Sequence, residues 1–214
     1  MASSWTIASG LIRCINHLTF RLVVSFQYRA MSHHLEPWQT LSREDVYVSE
    51  PWLKLSVEQI QLPDGGVVNG YHRVQMQDYA TIFAQVPDGR VIVLRQYKHG
   101  VGRVSLMLPG GGIHGTEDPL ETAKRELLEE TGYTAENWQH LTNFVTSANY
   151  RCSHGHIFTA CNAQQVAAPN SGDLEEMETV LMTPTDLITA VKQGEVVVLG
   201  AIAAIALALN PLFR

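Results

Sequence analysis

The chain has 214 residues, with 15 Lys plus Arg against 21 Asp plus Glu for a formal charge of −6, and 45% of its residues are apolar. That profile suits a medium globular domain with an extension and excludes intrinsic disorder, collagen and disulfide-built scaffolds, while the acidic sum excludes a nucleic-acid binder that works by phosphate neutralisation. Cys14, Cys152 and Cys161 are too few and too irregularly spaced for a disulfide framework or a four-ligand zinc site, so a reducing, cytoplasmic setting is the simpler expectation.

Residues 1–35 read as an extension. Ile7, Leu11, Ile15, Leu18 and Leu22 recur at helical spacing, with Arg13, Arg21 and Arg29 and no acid in the segment. That is the composition of an organelle-targeting peptide, and equally of a tail or of a stretch upstream of a start at Met31. Arg21 interrupts the most apolar part, so no membrane span is expected there.

Residues 36–77 read as an N-terminal β arm and 78–214 as the main domain. Trp52 to Leu62 alternates, and Pro63-Asp64-Gly65-Gly66 turns it into Val67-Val68 and Tyr71 to Met76 as a hairpin. Tyr79 to Val86 and Arg90 to Gln96 are apolar strand runs, and Pro87-Asp88-Gly89 between them is a second hairpin signal. Pro109-Gly110-Gly111-Gly112 forms a glycine-rich loop. A helix follows, with Asp118 as N-cap, Pro119 at its first position, Glu121 reaching back to the cap, and Gly132 as its stop.

Beyond it, Leu141–Thr146, His154–Ala160 and Met177–Met182 read as strands, with Ala163–Gly172 as a polar loop. Pro184–Gln193 reads as a helix capped by Thr183 or Thr185. Val196–Leu209 is an apolar run too short to span a membrane and is expected as an internal helix ended by Pro211.

Six acids fall within Glu117–Glu130 and four within Asp173–Glu178, nearly half of the total. On the helix, Leu120, Ala123, Leu127 and Thr131 share one stripe, whereas Glu126, Glu129 and Glu130, spaced i, i+3 and i+4, converge on another face. Three carboxylates so placed repel one another, and a hard divalent cation, Mg²⁺ or Mn²⁺, turns that repulsion into ligation. Cys152, His154 and His156 alternate on one strand as transition-metal ligands can, but no fourth ligand stands at a recognisable spacing, which favours a structural role.

The spacing Gly111-x5-Glu117-x7-Arg125-Glu126-Leu127-x-Glu129-Glu130-x-Gly132-Tyr133 matches all nine fixed positions of the signature of the Nudix hydrolases. Arg95-Gln96-Tyr97-Lys98, Leu108-Pro109-Gly110-Gly111 and Asp173–Glu178 resemble its ADP-ribose pyrophosphatase branch. The resemblance implies an α+β, α-β-α sandwich: a mixed β-sheet between helices, with the N-terminal β arm.

The resemblance also implies Mg²⁺-dependent cleavage of ADP-ribose or a related nucleoside diphosphate sugar into AMP and a sugar phosphate. Glu126, Glu129, Glu130 and the Gly110 carbonyl are then metal ligands, Arg125 the orienting cation and Glu117 its loop buttress. A late-loop acid completes the site, Glu175 as first choice and Asp173 as second. Arg95 meets substrate phosphate, and Trp38 and Trp52 hold adenine across a homodimer, core or interface packing being the equal alternative for both. Other Nudix specificities, or a non-hydrolysing nucleotide-binding module, stay open. Met107 stands where many relatives carry Glu before the Leu-Pro of the loop, which softens the substrate assignment.

Overall fold

The computed structural model describes residues 35–170, 172 and 176–213. The extension at residues 1–34, and both Asp173 and Glu175, lie outside the described residues. From Pro37 onward the chain forms a single unit.

The arm is an antiparallel meander of β1 (Gln39–Ser49), β2 (Leu53–Gln61) and β3 (Val67–Gln75). The β2–β3 hairpin forms where the sequence places it, with Leu62 and Gly66 bonded across the turn and Asp64 accepting from the Gly66 amide. β1 is exposed along almost its whole length, so the arm contributes little to the core.

In the main domain follow β4 (Tyr79–Ala84), β5 (Val91–Lys98), β6 (Arg103–Met107), α1 (Pro119–Thr131), β7 (Tyr133–Ser147), β8 (Arg151–Gln165), β9 (Met177–Met182), α2 (Pro184–Lys192) and α3 (Leu199–Ala208). β8 organises the larger sheet: β3 and then β4 run parallel along one edge, and β7 pairs antiparallel along the other. A second sheet places β5 between β6 and β9, all antiparallel.

Pro87-Asp88-Gly89 does make its turn, with Val86 and Arg90 bonded across it, but the hairpin expected there does not continue. After one bridge, Gln85 to Val91, the strands part into different sheets. The burial of both explains this. β4 and β5 are continuous apolar runs because both of their faces are covered, and a run without a solvated face has no reason to stay with its sequence neighbour. Alternate residues serve opposite layers: Ile82 and Ile92 pack with Ala123 and Leu127 of α1, while Phe83, Val91 and Val93 pack with Leu187 of α2 and Ala204 and Ile205 of α3. The result is helix, sheet and helix, in layers.

α1 ends as the sequence indicates. Asp118 accepts from the amides of Leu120 and Glu121, and Gly132 closes the helix in the left-handed region at φ 74°. A Cβ at Gly132 would lie 2.1 Å from the Ala167 carbonyl oxygen, so the position admits only glycine. Glu121 does not reach back to the cap; its carboxylate sits 2.7 Å from Lys124 Nζ.

β7 and β8 are longer than the sequence shows, running to Tyr133 and Gln165, which pair with each other. The polar loop therefore begins after Gln165 rather than at Ala163. α2 is capped by Thr183. α3 starts at Leu199 rather than Val196, because Val196 is engaged as a bridge to Leu106 of β6. No helix among the described residues is long and apolar enough to cross a membrane.

Candidate active site

The glycine loop is fixed from below by β4. The Pro109 and Gly111 carbonyls accept from the amides of Ile82 and Ala80, and Gly110 between them has φ 154°. A Cβ on Gly110 would lie 2.1 Å from the Ala80 carbonyl oxygen, and one on Gly111 would lie 2.4 Å from the Glu126 carboxylate. Backbone and acid come this close only because both residues lack a side chain.

Stripe geometry delivers the acids. Ala123, Leu127 and Thr131 are wholly buried on the sheet side of α1, and this turns Glu126 and Glu130 toward the loop. Glu130 is 4% exposed, and its Oε2 accepts the Gly110 amide at 2.8 Å. Arg125 lies at the centre of the remaining acids. Its Nε and Nη2 reach the two oxygens of Glu117 at 3.0 and 3.1 Å, Nη1 reaches Glu126 at 2.7 Å and Glu129 at 2.9 Å, and Nη2 also donates to the Gly112 carbonyl at 3.2 Å. The forked contact with Arg125 holds the Glu117 carboxyl down to about 2, and the same acids raise the Arg125 guanidinium further above its ordinary value.

The donor set, four carboxylates and a backbone loop with no sulfur, suits a hard divalent cation. Among the described residues no three acidic, His or Cys side chains stand in a ready ligating arrangement. Arg125 takes oxygens of Glu126 and Glu129, and the Gly110 amide takes one of Glu130.

The other sequence candidates are not gathered here. Arg95 lies exposed on β5, 3.8 Å from Glu178 of β9. Both belong to the lining of a cavity of about 680 Å³ that also includes Gln96, Tyr97 and Glu176. Trp38 meets Tyr71 edge to face at 6.2 Å, and Trp52 is 70% exposed beside the cis Glu50–Pro51 bond. Neither is bonded to the acidic cluster among the described residues.

Cys152, His154 and His156 do share one side of β8. Asp78 accepts from the His154 amide at 2.6 Å, and the His140 ring lies 5.9 Å from that of His156. Burial foremost, then nearby His140, pushes the His156 pKa down.

Sequence reasoning missed Gln77, whose Nε2 donates to the Ile113 carbonyl and shapes the loop beyond Gly112. Gln96, named from the sequence only within Arg95–Lys98, is a buried amide at an inward position of an apolar strand.

The chain is similar to known proteins over most of its length. Residues 76–199 match the NUDIX domain, and residues 38–74 match the nucleoside diphosphate sugar hydrolase N-terminal domain. The chain is 29% identical over 159 residues to the ADP-ribose pyrophosphatase of Bacillus subtilis (strain 168), covering 74% of this chain and 85% of that protein. It is 32% identical over 141 residues to the CMP-5'-(N-acetyl-N-hydroxy-3-aminopropyl)phosphonate hydrolase of Streptomyces rubellomurinus (strain ATCC 31215), covering 66% and 68%. A solved ADP compounds hydrolase shares the fold at a TM-score of 0.71 and 20% identity, over 83% of this chain and 95% of that one. With the domain spanning more than half of its length, the chain belongs to the Nudix family and is an enzyme of the pyrophosphatase kind.

Proposed function

We propose that this enzyme hydrolyses the diphosphate bond of ADP-ribose or a related nucleoside diphosphate sugar, giving AMP and a sugar phosphate, with Mg²⁺, or Mn²⁺ in its place. The observation that carries the reading is the excess of carboxylate at the glycine loop: Glu117, Glu126, Glu129 and Glu130 gather around Arg125 and the Gly110 amide. Acids held this close without equal positive charge favour a cation. The arm supports the sugar class, since it matches a domain described for nucleoside diphosphate sugar hydrolases, and the Bacillus relative is named for ADP-ribose.

Glu126, Glu129, Glu130 and the Gly110 carbonyl are the groups that would hold the cation. When bound, it supplies charge neutralisation for the diphosphate and a lowered pKa for the attacking water. The chain's own residues do the positioning. Arg125 fixes the Glu126 and Glu129 carboxylates, and Glu117, ionised down to about pH 2, fixes Arg125. Arg95 binds phosphate oxygens, and Trp38 and Trp52 hold the adenine. The late-loop acid, Glu175 first and Asp173 second, takes the proton from water as its oxygen bonds to phosphorus and the bridging P–O bond breaks. We also read the protein as a homodimer formed through the exposed apolar side chains of the arm, Leu41, Val46 and Val48 among them.

Purified protein with Mg²⁺ and a panel of ADP-ribose, ADP-glucose, a CMP derivative and a dinucleoside polyphosphate tests this, read as phosphatase-coupled phosphate release. The expected result is fastest release from an ADP-sugar, abolished by a chelator. Binding of ADP-ribose with no turnover of any compound would overturn the assignment.

A further inference from the structure

β3 and β4 are joined by three residues, Met76, Gln77 and Asp78. This linker is tied to β8 on either side of Gln77: the Met76 amide donates to the Cys152 carbonyl at 2.8 Å, and the Asp78 carboxylate accepts from the His154 amide at 2.6 Å. Gln77 therefore projects from backbone anchored at both neighbours.

The linker holds the segment that follows the glycine loop. The peptide between Gly112 and Ile113 is gripped on both edges, its N–H donating to the Asp78 carbonyl at 2.8 Å and its carbonyl accepting from Arg125 Nη2 at 3.2 Å. The next carbonyl, that of Ile113, accepts from Gln77 Nε2 at 2.8 Å. The same side chain packs against Gly112. A Cβ there would lie 2.6 Å from the amide carbon and oxygen of Gln77 and 2.9 Å from its nitrogen, and these are the three nearest atoms. The third glycine of the loop thus leaves the room that the Gln77 amide takes.

Arg125 joins this contact to the acids. Its Nη2 reaches the Gly112 carbonyl and Glu117, while its Nη1 reaches Glu126 and Glu129. A guanidinium is a rigid plane, so an acceptor fixed on one edge orients the donors on the other. The place of the Gly112 carbonyl then bears on the place of both carboxylates.

We propose that Gln77 is a positioning residue of the cation site: by holding the Ile113 carbonyl and packing against Gly112, it fixes the Gly112 carbonyl under Arg125, and through Arg125 the Glu126 and Glu129 carboxylates. The inference rests on the proposed binding of a divalent cation by these acids and extends it to a residue outside the loop and helix. Gln77 and Ile113 both line a cavity of about 510 Å³. Water can take the donor's place at the Ile113 carbonyl once the amide is removed, so the fold loses little. Water does not restrain the loop, so the geometry of the acids loses more.

The test measures Mn²⁺ binding by calorimetry, without substrate, to the wild type, Gln77→Ala, Gly112→Ala and the double variant, together with the melting temperature of each. Gln77→Ala removes the donor. Gly112→Ala reaches the same bond from the other side, because its methyl displaces the amide. Each is expected to raise the Mn²⁺ dissociation constant about fivefold, the worth of one hydrogen bond between neutral groups, with a melting temperature near that of the wild type. The double variant should show the same rise and no more, since the added methyl then has no amide to displace.

Wild-type Mn²⁺ affinity in Gln77→Ala, with or without a lowered melting temperature, would overturn the proposal and mark Gln77 as a structural residue. Losses that multiply in the double variant would overturn it as well, because the two substitutions would then act through different contacts. If the wild type itself binds no Mn²⁺, the cation reading fails and this proposal falls with it, an outcome read on the wild type alone and so distinct from a failure confined to the variants.

Discussion

The acidic loop and helix, residues 110–132, and the arm, β1 to β3, sit at opposite extremes of internal satisfaction. In the first, Arg125 alone holds three carboxylates and a carbonyl, Glu130 is tied to the Gly110 amide, and both helix ends are capped by their own sequence. In the second, Leu41, Tyr47, Val48 and Trp52 lie exposed, and β1 has almost no buried residue. The contrast shows which part of the chain is complete in itself. The acidic site is pre-set by bonds within a short stretch, whereas the arm presents apolar surface whose burial depends on something outside it.

The largest expected effect breaks the acidic side. Glu129→Gln or Glu130→Gln should lower kcat by about 10³-fold, the several kcal/mol of charge stabilisation that a bound cation contributes, with circular dichroism unchanged. Near-full activity in both variants would show that these are not the cation's ligands. Leu127→Ala attacks the same helix from its packed face and should cost about 2–5 kcal/mol in chemical denaturation, since Leu127 is fully buried among Ile82, Ile92 and Phe158. No comparable loss is expected for Leu41→Ala in the arm.

Trp52→Ala sharpens the contrast from the other side: KM should rise about tenfold, roughly 1.4 kcal/mol, with little change in melting temperature. A large drop in stability instead would place Trp52 in structural packing. Asp118→Ala removes the cap and should cost about 1 kcal/mol, measurable as a shift in denaturation midpoint.

The smallest effect concerns His156. Burial, His140 and His154 hold its pKa below 6.5, with Asp78 and Asp118 opposing them. The folded state therefore resists a proton that the unfolded chain accepts. Stability is complete above about pH 6.5 and declines as pH falls through the depressed folded value. His156→Asn should flatten that acid limb; an unchanged slope would assign it to other groups.

Two turns of nearly the same sequence separate what each level decides. Pro63-Asp64-Gly65-Gly66 and Pro87-Asp88-Gly89 both make their turns, yet only the first builds a hairpin. Turn chemistry is local and was readable; sheet membership depends on which faces are covered, and that is settled by α1 on one side and α2 and α3 on the other. Likewise α3 starts at Leu199 rather than Val196 because Val196 is taken by Leu106, a residue 90 positions away.

The sequence by itself determined the family, the caps of α1 and the set of acids, because these depend on spacing along a helix and on single residues at turns. Tertiary structure decided that Glu130 turns to the Gly110 amide and that Arg95 shares a cavity with Glu178. Those contacts join residues far apart in the chain. No periodicity specifies them, because they exist only once the sheets and helices have packed.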